Sequence, residues 1–165
     1  MYEQQQAPQP PHRRHPQTYP GYILLLVAGI LCIVFNSIAA LNTLTLIVTT
    51  DFWLSYYGGE AMRTTWNILY AAAMLVSLLT IFLGIFSAAF AGKPEKAKAL
   101  MTFGTITILI ALAQNLIYLI FYIPYDTGWA TFTIVTMPIG FIAPALVIFG
   151  ASRNWKMHTE ILDSR

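Results

Sequence analysis

Three carboxamides stand near the middle of runs in which the chain is mostly hydrocarbon. Asn36 lies within residues 22–48 and the pair Gln114-Asn115 within residues 99–122, two stretches that contain no Asp, Glu, Lys or Arg. An amide offers two N–H donors and a carbonyl acceptor, and it carries no charge. In hydrocarbon an amide without a partner is costly, while interhelical polar contacts average about 0.6 kcal/mol. Such groups either bond one helix to another or line a path for a polar solute or ion. Asn36 lies fourteen residues beyond Tyr22, and Gln114 and Asn115 lie sixteen and seventeen beyond Lys98. At the rise of an α-helix the two sets differ in depth by only about 3–5 Å, so they can meet. A packing hydrogen bond that fixes register is the leading role, and a polar lining is the alternative.

Catalytic chemistry is harder to build. His12, His15 and His158 all fall in polar terminal segments, and no Asp pair, HExxH motif or Ser–His pair lies within an apolar run. Asp, Glu, His, Lys and Arg are missing from the middle of every such run, so the proton relay that coupled carriers place there has no groups to use. The single cysteine, Cys32, excludes an internal disulfide, a CxxC redox pair and a cysteine-built zinc site. Asp51, Glu60 and Asp126 lack any ligand spacing. The expectation is a protein that is not an enzyme and holds neither cofactor nor metal.

The elements that carry these residues follow from composition. Hydrophobic residues make up 57% of the chain and charged ones 10%, against about 25% charged in soluble domains. Four runs, about 22–48, 66–91, 99–122 and 130–151, are free of charge, and each meets the roughly 20 apolar residues needed to cross a bilayer. The first runs too far through Leu41, Leu44 and Val48 to be a signal-peptide h-region. The expected fold is an all-α membrane protein: four transmembrane helices in an up-down-up-down antiparallel bundle. A disordered Pro/Gln-rich tail, 1–20, precedes the transmembrane domain, 21–151, and a short tail, 152–165, follows it.

Basic residues give the orientation. Arg13, Arg14, Lys93, Lys96, Lys98, Arg153, Lys156 and Arg165 fall on one side of a four-span layout and only Arg63 on the other. Lys and Arg accumulate in short cytoplasmic segments, so both termini are expected in the cytoplasm, with the plasma membrane the expected location. Arg13, Arg14, Lys93, Lys96, Lys98, Arg153 and Lys156 are also expected to meet anionic lipid headgroups.

Packing signals are present as well. Gly84 and Ala88 form a small-xxx-small pair that lets helix backbones approach, with contact inside the chain preferred over dimerisation. Pro138 and Pro144 remove backbone donors and are expected to bend the fourth helix, statically or as a gate. Pro8, Pro11 and Arg13 fit P-x-x-P-x-R, the pattern an SH3 groove reads in an extended polyproline helix; an unstructured topology anchor is the simpler reading of that tail.

The function expected from the sequence is therefore that of a non-enzymatic integral membrane protein acting through protein or lipid contacts, as an accessory, scaffold or immunity-type subunit. The alternative is a small oligomeric channel or uniporter-like carrier lined by Asn36, Gln114 and Asn115. Expected partners are the lipid bilayer, other membrane proteins and further copies of the chain, with no nucleic acid.

Overall fold

The computed structural model describes residues 19–49, 52, 59, 62–122 and 127–163. Four long α-helices account for almost all of them: α1 (Tyr22–Val48), α2 (Arg63–Phe90), α3 (Ala97–Tyr122) and α4 (Thr127–Asp163), with a 3₁₀ turn at Pro94–Lys96 before α3. Helices α2 and α3 begin a few residues before their charge-free runs. Helix α4 departs most from the sequence reading, because it continues without a break from 151 through Asp163. The segment Ser152–Asp163 contains no Gly or Pro to stop it. Residues 1–18, including Pro8, Pro11, Arg13 and Arg14, lie outside the described residues.

Tyr22–Val48, Arg63–Phe90 and Pro94–Phe121 are long and apolar enough to cross a membrane. Their surfaces are inverted relative to a water-soluble protein. Ile23, Val48 and Ile120 are 71%, 77% and 68% exposed, whereas the interior is built largely from smaller groups. Leu25, Ala28 and Cys32 of α1 meet Leu83 and Ala91 of α2, Ala97 and Leu100 near the start of α3, and Ala143, Val147 and Ala151 of α4. Exposed large apolar side chains recur along all four helices.

Helix α1 packs most extensively on α2, and α3 on α4; smaller α1–α4 and α2–α3 contacts join the two pairs, and the α2–α4 diagonal contact is slight. Backbone proximity explains the α1–α2 contact. A Cβ on Gly29 would lie 2.7 Å from the Gly84 carbonyl oxygen, and one on Gly84 would lie 2.6 Å from that of Gly29. Only hydrogen fits between them. Ala88, one turn on, borders the same crossing, so the Gly84–Ala88 pair is used against α1 within this chain. The Ser87 hydroxyl then donates 2.8 Å to the Leu25 carbonyl in a fully buried contact.

A second interlock joins three segments. Asn154 of α4 is 1% exposed; its Oδ1 accepts from the Gly21 backbone N–H at 2.7 Å and its Nδ2 donates to the Ala91 carbonyl at 3.0 Å. Gly21 caps α1 and Ala91 caps α2, so one side chain serves two helix ends that lack intrahelical partners. Gly21 lies against the Gly150 carbonyl so closely that any Cβ there would collide. Far along the helices, Trp66, Leu69 and Tyr70 form a separate cluster with Leu46, Ile47, Tyr118 and Phe121. The Trp66 and Tyr70 rings stack at 6.1 Å.

A polar cavity between the helices

Between the glycine-packed end and the Trp66 cluster, the four helices separate around a cavity of about 250 Å³. Each helix presents a stripe to it over two turns. Asn36, Ala39 and Thr43 come from α1, Ala73, Val76, Ser77 and Thr80 from α2, Thr107, Ile108, Ala111, Gln114 and Asn115 from α3, and Met137, Gly140, Phe141 and Pro144 from α4. The spacing is i, i+3 or i+4, i+7 on α1, α2 and α4, the repeat that keeps side chains on one helix face, and α3 adds the flanking Ile108 and Asn115 to the same pattern. The three amides singled out from the sequence are thus brought to one cavity. Thr43, Ser77, Thr80 and Thr107 were missed, although their positions on the same stripes were visible in the sequence.

The hydrogen bonding differs from the cross-helix amide contact expected. Asn36 Nδ2 donates to the Cys32 carbonyl at 3.0 Å and Asn115 Nδ2 to the Ala111 carbonyl at 2.8 Å, each four residues back on its own helix. Thr43, Ser77, Thr80 and Thr107 place their hydroxyl protons in the same way, on the carbonyls of Ala39, Ala73, Val76 and Phe103 at 2.9–3.0 Å. Bonding to the i−4 carbonyl needs no second helix in register, and it satisfies a polar donor wherever the helix sits. Ser87 and Asn154, by contrast, do make bonds between helical segments.

Consequences for the lining are chemical. A hydroxyl that has spent its proton keeps an acceptor oxygen, and a carboxamide that donates from Nδ2 keeps its carbonyl oxygen. Pro144 has no N–H, so the Gly140 carbonyl loses its usual partner four residues on; both residues border the cavity. Helix α4 runs continuously through Pro138 and Pro144. Of the described residues that line the cavity, none is ionisable. Among the described residues no group of three or more His, Cys, Asp or Glu side chains converges as a metal site.

The basic residues take a different place. Lys93, Lys96, Lys98, Arg153 and Lys156 are exposed, around the end where Ala91, Ala97 and Asn154 meet. Lys93 lies over the Phe90 ring at 5.5 Å and Arg153 over the Phe149 ring at 5.7 Å, each cation held at the edge of the apolar surface. Trp155 and His158 pack at 6.0 Å on the extension of α4.

Comparison of the chain with models of protein families, with curated proteins and with solved structures finds no match.

Proposed function

We propose that this chain is a multi-pass integral membrane protein whose four helices cross the bilayer as an up-down-up-down antiparallel bundle, with both termini in the cytoplasm and the plasma membrane as its location. It acts through non-covalent contacts with other membrane proteins, with further copies of itself or with lipid, and not through catalysis. The observation that carries this reading is the inverted surface: large aliphatic side chains outside, small and uncharged groups inside. Two supports add to it. The apolar section of α4 between 130 and 151 is free of charge, and the exposed Lys93, Lys96, Lys98, Arg153 and Lys156 cluster at one end, as the retention of positive charge in the cytoplasm requires.

The cavity favours a second reading, a small carrier or channel lined by Asn36, Gln114 and Asn115. Reconstitution into liposomes separates the two. Under the contact reading the purified chain moves neither ions nor small polar solutes, and photo-crosslinking in native membranes gives a stoichiometric complex. Saturable flux that disappears in folded Asn36→Leu and Gln114→Leu protein replaces the contact reading by the carrier.

A further inference from the structure

The cavity between α1, α2, α3 and α4 has a chemical bias that neither contact with partners nor packing requires. We propose that it is a binding site for a small neutral molecule that brings O–H or N–H donors on a short apolar body, a diol being the simplest case.

The polarity of the ligand follows from where the protons already are. Thr43, Ser77, Thr80 and Thr107 have committed their hydroxyl protons to backbone carbonyls, and Asn36 and Asn115 have each committed an amide proton. What remains on these six side chains is four hydroxyl and two carboxamide oxygens as acceptors, against one N–H each on Asn36 and Asn115; Gly140, whose carbonyl Pro144 cannot meet, borders the same space. Gln114 lines the same space and, among the described residues, makes no hydrogen bond. Acceptors in a low-dielectric interior are costly to leave unmet, and a donor-bearing molecule meets them.

Neutrality follows from the lining. A cation also seeks acceptors, but among the described residues no carboxylate borders the cavity, and an uncompensated charge held there carries a desolvation penalty of several kcal/mol. Size and shape follow from the walls. At about 250 Å³ the space falls just under the roughly 300–1,000 Å³ of sites for drug-sized molecules. Val76, Ile108 and Phe141 give it an apolar side that receives a short hydrocarbon body.

The inference does not depend on whether the ligand crosses the membrane. It is tested with the full chain in lipid nanodiscs and a short diol carrying a photoreactive diazirine. Adducts are expected on cavity-lining residues, competed by the plain diol and not by the alkane of the same length. Gly140→Leu is the decisive variant: Gly140 borders the cavity and a Cβ there meets nothing within 4 Å, so a leucine is expected to root without a clash and to take up cavity space. Labelling should fall about tenfold or more in it. Thr107→Val, which removes one acceptor at constant shape, should weaken labelling several-fold and serves if Gly140→Leu does not fold. Adducts confined to lipid-facing positions such as Leu109, equal competition by the alkane, or unchanged labelling in the folded variants would each overturn the proposal.

Discussion

The Oδ1 of Asn154 lies 2.7 Å from the backbone nitrogen of Gly21, a residue 133 positions earlier in the chain. The same amide reaches the Ala91 carbonyl, so a single side chain near the end of the chain closes the ends of the first two helices. Replacing it leaves a buried donor and a buried acceptor unmet, each worth about 1–3 kcal/mol. Asn154→Leu is expected to destabilise the protein by about 2–4 kcal/mol, read as a lowered midpoint of unfolding in detergent micelles.

The glycines are expected to separate into two groups. Gly29→Ala and Gly84→Ala push a methyl group into a facing backbone carbonyl, which the helices relieve only by moving apart. A loss of about 1–3 kcal/mol is expected for either. A Cβ on Gly104 would crowd the Ile148 side chain at 2.8 Å, which can turn away, and meet the Pro144 carbonyl oxygen at an ordinary 3.7 Å, so Gly104→Ala should cost less. Thermal unfolding of the series, with Gly140→Ala as the variant that meets nothing, checks the order.

Ser87→Ala removes the donor to the buried Leu25 carbonyl and keeps the close approach of α1 and α2. The expected loss is about 1 kcal/mol, measured by the same unfolding assay. Ser87→Val adds bulk at a fully buried position and should be worse than alanine.

Asn36→Leu tests what its amide does. Its hydrogen bond runs to Cys32 on its own helix, so no link between helices is lost. The expected change in stability is under about 1 kcal/mol. A loss of several kcal/mol in the unfolding midpoint would mean that Asn36 does hold two helices together.

How far such features can be read without coordinates depends on their range. Three of the four charge-free runs coincide with helices long and apolar enough to cross a membrane, because length and hydropathy are local properties. The amides shared a depth, and the stripes through Asn36, Ser77, Thr107 and Gly140 were visible as helical spacing. Which partner a group chooses was not visible. Asn36 and Asn115 take the carbonyl four residues back because it is always in reach, which leaves a cross-helix bond unmade. Asn154 gave the opposite error of omission: within Ser-Arg-Asn-Trp-Lys it reads as one more polar tail residue. Only the continuation of α4 past 151 and the arrival of Gly21 and Ala91 beside it make it a tie. Gly29 likewise had no signal of its own, since its role depends on facing Gly84.

The proposed arrangement, four crossings with both chain ends on one face, would fix the depth of the cavity and the meaning of the basic residues, and cysteine accessibility tests it directly. The native Cys32 is buried and should stay silent to a membrane-impermeant maleimide. Exposed reporters are available at Phe52, Lys96 and Lys156. Phe52→Cys should be labelled in intact cells, whereas Lys96→Cys and Lys156→Cys should react only after the membrane is opened. Labelling of Phe52→Cys from the same side as Lys96→Cys, or of Lys96→Cys and Lys156→Cys from opposite sides, would contradict the four-span arrangement.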